Sequence, residues 1–378
     1  TASCSKDYLN KVPLDQQTEQ TSFQTYNNFK TYAWGLYDLF DGYGQGPILN
    51  TATFLFEEAN SDNLCYNESL NSNEWAYQLK TVPSSGDDWD FSFIRRVNIM
   101  LDNIDQSKMS QKEKDHWRSV GYVFRCFRYI QLLSKFGDVP WLEHVVKDND
   151  KDILYASRTS RDTVAQNILD NLLWAETHIN PAGDGANTVN VHVVRALISR
   201  FGLFEGTWRK YHGLGNAEQY LNACVVASAE LAADFSILLP DYDHIFNSED
   251  LAGKAGIILY RSYAAGQNVH GVQRYLRTAA WYFDLTKDAV DSYLCQDGKP
   301  ISTSVLYQGD HSLSDEFRHR DRRLYFTVTP PYRVFTTTDA TGSVITSKNT
   351  IFWKHTGIDA DKEYMDTMSL ISSPGYKE

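Results

Sequence analysis

Apolar residues recur at the spacing of an α-helix along much of the first 235 residues. Within 113–135, Trp117, Val120 and Phe124 begin a stripe of this kind. Positions three and four apart share a face of a helix, so the spacing predicts an amphipathic helix packed on a core. The same pattern predicts further helices over 22–41, 89–105, 161–177, 190–209 and 217–233.

Local signals predict the ends of two of these helices. Gly137 followed by Pro140 should end the 113–135 helix, because glycine favours a left-handed C-cap and proline cannot continue a helix. Ser160 is a typical N-cap residue for the 161–177 helix. Consecutive helices joined by short turns predict helix pairs stacked side by side.

The pattern changes at residue 236. Proline, aspartate and asparagine interrupt the helical spacing between Pro240 and Asn247. We therefore expect one domain over 22–378, with a helical scaffold over about 22–235 and a loop-rich cap over about 236–378. Within the cap, the sequence predicts a short strand over 257–263, a short helix over 286–294, and β-like pieces at Tyr325–Thr329 and Tyr332–Thr337.

Charge and cysteine usage narrow the class of ligand. The 378 residues carry 36 Lys plus Arg and 48 Asp plus Glu, a formal net charge of -12. A strongly acidic chain is a poor binder of a phosphate backbone, so we expect no nucleic-acid partner. The five cysteines are scattered and lack the paired spacing of a zinc site.

The sequence contains no P-loop, no His-Glu-x-x-His and no Gly-x-Ser-x-Gly motif. Asp87 and Asp88 beside Trp89 are the residues most like a glycosidase site, which needs two carboxylates flanking a sugar. The same acids also favour the N-terminus of the helix that begins near 89. We expect no enzymatic activity, and an α-helical glycoside hydrolase or lyase is the alternative.

An acidic segment, Asp148–Asp152, resembles the start of a calcium loop. Ile153 and Thr159 stand where such a loop has its Gly and its Glu. A solvated acidic turn fits these residues better. We therefore expect no cofactor and no metal, with structural calcium as the alternative.

Several aromatic residues lie among polar or turn residues rather than in the helical stripes. A sugar ring has apolar faces edged with hydroxyls, so it suits a flat ring beside side chains that form hydrogen bonds. Each of these rings can instead pack in the core. The candidate ligand-binding residues are Trp75, Trp89 and Trp281 for stacking, Asn73, Asp87 and Tyr307 for hydrogen bonding, and Tyr275, which lies in the same segment as Trp281.

Several segments together, in this order along the chain, resemble the SusD/RagB-like outer-membrane lipoproteins of Bacteroidetes. They are Cys4–Leu9, Trp89–Asn98, Phe124–Tyr129 with Lys135–Pro140, Arg158–Ser160, Asp297–Ile301 and Phe317–Leu324. The chain departs from the family pattern at Asn171, where Asp is usual, and at Thr1, where a lipobox has Leu. The further C-terminal helices usual in the family are not found before Glu378.

The resemblance implies an all-α fold, an α–α superhelix of TPR-like helical pairs that supports a loop-rich ligand face. It implies a cell-surface protein for nutrient uptake and polysaccharide utilization, which binds a glycan without catalysis and delivers it to a SusC-like TonB-dependent transporter. Cys4 would carry the lipid anchor to the outer membrane, and residues 1–21 would form a tether. A peptide-binding protein or a structural lid of the same transporter remains an alternative.

Overall fold

The computed structural model describes residues 22–44, 61–66, 86, 88–239, 242, 248, 250–264, 266–272, 283–327, 334–338 and 344–348. The chain forms two compact units. The first comprises Thr1–Asp41, Pro83–Ile237 and Gly256–Arg261, and the second comprises Gly42–Val82, Leu238–Ala255 and Ser262–Glu378.

The described part of the first unit is helical. Its elements are α1 (Tyr26–Trp34), which runs into a 3₁₀ turn (Gly35–Leu39), α2 (Ser92–Asn103), α3 (Gln111–Phe136), α4 (Lys151–Leu154), α5 (Arg161–His178), α6 (Val191–Tyr211) and α7 (Ala217–Asp234). Apart from the short α4, which the sequence did not predict, these bounds agree with the helices predicted from the apolar spacing. None of the described helices is long and apolar enough to cross a membrane.

Consecutive helices of this unit pack antiparallel. Arg209, near the end of α6, lies over the ring of Tyr220, near the start of α7. Arg195, near the start of α6, forms an ion pair with Asp234 at the end of α7, at 3.1 Å. Ion pairs of Arg195 with Glu176 and of Arg209 with Asp162 join the start of one helix to the end of the other, so the same reversal relates α5 to α6. The predicted all-α architecture of stacked helix pairs is confirmed.

The apolar stripes form one core in this unit. Trp117, Val120 and Phe124 of α3 are buried, as their spacing predicts. Gly137 ends α3 with a φ of 70°, a conformation that glycine adopts without strain. The Ser160 side chain accepts a hydrogen bond from the backbone nitrogen of Thr163 and caps α5. Both predicted helix ends are therefore confirmed.

Residues of the family-like motifs position the segment that follows α3. The hydroxyl of Tyr129 donates to the carbonyl oxygen of Pro140, at 3.1 Å, and accepts from the backbone nitrogen of Leu142, at 2.7 Å. The amide of Asn98 donates to the carbonyl oxygens of Leu142 and His144. These side chains satisfy backbone groups that no strand or helix satisfies, so their role here is structural.

The strand predicted over 257–263 is not formed. The side-chain amide of Asn187 takes the place of a strand partner for Tyr260. Its Nδ2 donates to the carbonyl oxygen of Tyr260, at 2.8 Å, and its Oδ1 accepts from the backbone nitrogen, at 3.0 Å. One side chain can therefore satisfy an extended segment that the sequence pattern presents as a strand.

The described part of the second unit combines short strands and short helices. Its elements are β1 (Leu64–Tyr66), which pairs antiparallel with β2 (Phe283–Leu285), α8 (Lys287–Ser292), α9 (Leu313–Phe317), α10 (Arg322–Thr327), and the antiparallel pair β3 (Val334–Thr338) and β4 (Val344–Lys348). The predicted short helix and the later β-like piece are found. The other predicted β-like piece, Tyr325–Thr329, is wrong for residues 325–327, because these residues belong to α10. Residues 328 and 329 lie outside the described residues.

A buried histidine lies in the core of the first unit. His116 is 3% exposed, stacks on Tyr26 and accepts a hydrogen bond from the backbone nitrogen of Asn180 at Nδ1. Burial lowers the pKa of His116 to about 4, partly offset by the negative charge of Asp184. The imidazole is therefore neutral at neutral pH.

Candidate functional site

The structure describes two of the predicted ligand residues. Trp89 lies in the first unit and Tyr307 in the second. The remaining predicted residues lie outside the described residues, and their convergence on one site stays a prediction. They are Asn73, Trp75, Asp87, Tyr275 and Trp281, together with the predicted lipidation site Cys4.

Trp89 lies just before α2 and is 37% exposed. The guanidinium of Arg158 lies over its ring, 4.6 Å from the ring centroid. Phe91 and Phe136 meet the indole edge-to-face, with centroids 5.4 and 4.9 Å away. Arg158 therefore covers one face of the indole, and a sugar would have to contact the surface that is left.

Two basic residues of α3 hold the segment that carries Trp89. Arg128 donates from Nη2 to the carbonyl oxygens of Asp88, at 3.2 Å, and Asp90, at 2.9 Å. Lys135 forms an ion pair with the carboxylate of Asp88. These contacts fix the backbone on both sides of Trp89, and the rings of Phe91 and Phe136 pack against the indole itself.

The acids of this segment are engaged in local contacts. Asp90 accepts hydrogen bonds from the hydroxyl and the backbone nitrogen of Ser92, and these bonds lower the pKa of the Asp90 carboxyl. Asp88 is paired with Lys135. Asp87, the other member of the glycosidase-like pair, lies outside the described residues. The described geometry therefore gives no support to an acid–base pair at this segment.

Tyr307 is half-buried in the second unit. The guanidinium of Arg320 lies 5.6 Å from its ring centroid. Desolvation raises the pKa of the Tyr307 hydroxyl, although Lys287 nearby acts in the opposite direction. The phenol stays protonated at neutral pH, so it can donate a hydrogen bond to a ligand hydroxyl.

A lysine-centred network surrounds Tyr307. Nζ of Lys287 lies 2.6 Å from Asp291, 2.9 Å from Glu316 and 3.8 Å from Asp310. Desolvation opposes the charge of Lys287, but the hydrogen bonds to Asp291 and Glu316 outweigh it and raise its pKa. The network links α8, α9 and the loop of Asp310, which follows Tyr307 closely in the chain.

An aromatic cluster in the second unit was not predicted. Tyr43, Tyr263 and His270 contact one another, with ring centroids 4.5 to 6.0 Å apart. The backbone nitrogen of Tyr43 donates to the hydroxyl of Tyr263 at 2.6 Å, and that hydroxyl donates to the carbonyl oxygen of Gly44. Tyr43 is 38% exposed. The one signal in the sequence is a tyrosine between two glycines, which places a ring on an exposed turn.

The imidazole of this cluster is uncharged at neutral pH. Burial lowers the pKa of His270. Its Nδ1 is buried and has no hydrogen-bond partner within the described ranges. Two phenol rings and an uncharged imidazole combine flat apolar faces with polar groups, the chemistry that a sugar ring requires. We call Tyr43, Tyr263 and His270 the tyrosine cluster.

Metal binding has no support in the described geometry. Among the described residues, no group of three His, Cys, Asp or Glu side chains is placed to hold an ion. In the calcium-like segment, the Asp150 carboxylate accepts a hydrogen bond from the backbone nitrogen of Lys147 at 2.8 Å. Asp150 therefore stabilises the turn that leads into α4.

A family model described as "Starch-binding associating with outer membrane", of the SusD-like type, matches residues 7–201. This match spans more than half of the chain. The chain belongs to the SusD-like family. The SusD-like match includes the segments around Trp89, Phe124 and Arg158 that suggested the resemblance. None of the curated proteins matches the chain.

Solved structures share the fold of this SusD-like chain. A SusD-like carbohydrate-binding protein of Bacteroides fragilis is 16% identical, with a TM-score of 0.62 over 85% of this chain and 62% of its own. A second SusD-like protein of that organism is 17% identical, with a TM-score of 0.63 over 89% and 66%. B. fragilis NanU is 15% identical, with a TM-score of 0.56 over 88% and 67%. The chain thus spans under two thirds of the length of the first two.

Proposed function

We propose that the protein binds a glycan at the cell surface and delivers it to a SusC-like TonB-dependent transporter. The observation that carries the proposal is the match of residues 7–201 to a family described as starch-binding and associating with the outer membrane. Solved relatives with the same fold include one described as a carbohydrate-binding protein.

The tyrosine cluster is the described surface that best suits this function. It offers an exposed ring at Tyr43 that packs against the rings of Tyr263 and His270, and the Tyr43 backbone is tied to Tyr263 by a hydrogen bond. A ring held rigidly loses little entropy when a ligand stacks on it. A shallow site of this kind should bind weakly, in the ~µM–mM range.

Binding without turnover is part of the proposal. Asp88 is committed to an ion pair with Lys135, and the Asp90 carboxylate is committed to Ser92. Glycoside hydrolysis needs one carboxyl group that donates a proton and a second that attacks or activates water. Release of reducing sugar from a bound glycan would contradict this part of the proposal and favour the hydrolase.

Anchoring at Cys4 completes the proposal. A lipidated N-terminal cysteine with more than one acyl chain holds a protein stably at a membrane. In cells, Cys4→Ala should move the protein from the membrane fraction to the soluble fraction without changing its glycan affinity. Unchanged membrane association of the variant would contradict the anchor.

The tyrosine cluster can be tested by one substitution with a matched control. Tyr43→Ala removes the exposed ring, whereas Tyr211→Ala removes a ring of the first unit that is 82% exposed. Affinity electrophoresis in gels containing a retained polysaccharide should show loss of retardation for Tyr43→Ala alone. Equal retardation of both variants and the parent would contradict the assignment of the cluster.

A further inference from the structure

Arg158 is an exposed arginine whose guanidinium lies over an aromatic ring. Its side chain is exposed, and its guanidinium lies 4.6 Å from the centroid of the Trp89 ring. Within the part of the chain that the structure describes, Arg158 forms no hydrogen bond and no ion pair. Its charge is therefore available to a ligand, although Asp and Glu outnumber Lys and Arg in the sequence.

The indole beneath Arg158 is held rigidly. Phe91 and Phe136 flank Trp89, and Arg128 binds the backbone on either side of it. A guanidinium stacked on an aromatic ring keeps its N–H groups at its edge, pointing away from the ring. Trp89 therefore holds the Arg158 guanidinium, a planar fork of hydrogen-bond donors, at a defined place on the surface.

The two described acids beside Trp89 do not compete for the donors of this guanidinium. Asp88 is paired with Lys135, and the Asp90 carboxylate accepts hydrogen bonds from Ser92. A planar fork of donors with a full positive charge fits a carboxylate through two parallel hydrogen bonds. An uncharged hydroxyl gains less from the same donors.

We propose that Arg158 binds the carboxylate of an acidic saccharide, such as a uronic acid unit. The inference rests on the proposed glycan-binding function, but it concerns a site on the first unit that does not involve the tyrosine cluster. Trp89 acts there as a positioning residue for Arg158 and also offers its remaining exposed surface to the sugar.

The test compares an oligogalacturonide with its methyl ester, which is the same sugar without the charge. In calorimetric titrations, the acid should bind about 10-fold or more tightly than the ester. Raising the salt concentration should weaken binding of the acid and leave the ester unaffected. Equal affinity for acid and ester would overturn the proposal, and so would equally tight binding of an oligoglutamate peptide.

Substitutions of Arg158 test whether its planar guanidinium causes the preference for the acid over the ester. Arg158→Gln should lose about 10-fold or more in affinity for the acid and little for the ester. Arg158→Lys, which keeps the charge but not the fork, should fall between the two. Arg200→Gln is the matched control, because Arg200 is exposed and forms no ion pair with a described residue. An unchanged affinity of Arg158→Gln would overturn the proposal.

Folding and the proposed function are checked in the same samples. The thermal melting temperature of Arg158→Gln shows whether the variant folds, and Arg158→Lys carries the test if it does not. A neutral polysaccharide that still binds while the oligogalacturonide fails would overturn the Arg158 site alone. Failure of every glycan with a folded parent protein would overturn both proposals.

Discussion

Removal of the buried carboxylate of Glu205 should destabilise the first unit strongly. Glu205 is 0% exposed. Its Oε2 accepts from Nη2 of Arg161 at 2.6 Å, and its Oε1 accepts from Nε of Arg209 at 2.8 Å. Glu205→Ala would leave Arg209, which is 2% exposed, without its buried partner.

The expected loss of stability is large because Glu205→Ala leaves a buried arginine charge without its partner. Breaking a buried ion pair from one side costs about 3–5 kcal/mol, a large part of the roughly 5–15 kcal/mol that stabilises a typical domain. For a unit of this size, the melting temperature should fall by roughly 6–20 °C. Glu205→Gln should cost less, because the amide oxygen can still accept one of the hydrogen bonds.

The assay is urea unfolding of the whole chain, followed by far-UV circular dichroism because the first unit is helical. Asp162→Ala is the matched control. Asp162 contacts the same Arg209 at 2.8 Å, but its side chain is 77% exposed. Exposed ion pairs contribute about 0–1 kcal/mol. A loss below about 1 kcal/mol for Glu205→Ala, or equal losses for both variants, would refute the reasoning.

Three further predictions follow from the packing and the sequence. The free energy of unfolding should fall by about 3 kcal/mol as the pH drops from 6.5 to about 4, because the unfolded chain binds the proton that buried His116 excludes. In urea titrations at several pH values, His116→Phe should flatten this pH dependence. An unchanged pH dependence would contradict the role of His116. Gly202→Ala would place a Cβ 2.5 Å from a backbone carbonyl oxygen of α7, so it should lower the free energy of unfolding by about 1–3 kcal/mol in chemical unfolding. The control Gly215→Ala, whose Cβ would meet nothing within 4 Å, should be nearly neutral. Equal losses for the two variants would contradict the close approach of α6 and α7 at Gly202. Trp75→Ala and Trp281→Ala should each weaken binding to a retained polysaccharide without lowering the melting temperature, and unchanged binding of both would remove them from the site.

Helix positions could be predicted from the sequence because their causes are local. The stripe that begins at Trp117 and the cap at Ser160 depend on residues a few positions apart. The strand predicted over 257–263 was wrong because its backbone conformation depends on a contact that is distant in the sequence. The partner of Tyr260 is the side chain of Asn187, far away in the sequence, and no local pattern reveals that pairing.

The candidate site was harder to predict than the fold. Trp89 was predicted from the sequence as a stacking ring beside acids, but the arginine over its face comes from the segment that precedes α5. Tyr43 and Tyr263 are 220 residues apart in the sequence, yet their rings stack and the Tyr43 backbone donates to the Tyr263 hydroxyl. Contacts of this kind depend on the folded backbone, so a single sequence does not reveal which aromatic rings gather on one surface.

The most direct test of the account is retention of the protein, starting after Cys4, on a panel of plant, host and microbial polysaccharides, with product analysis in the same samples. A glycan-binding protein without catalytic activity should retain one glycan class selectively and release no shorter sugars. Release of product would contradict binding without turnover. Absence of retention by a folded protein would contradict glycan binding itself and favour a peptide ligand or a structural lid.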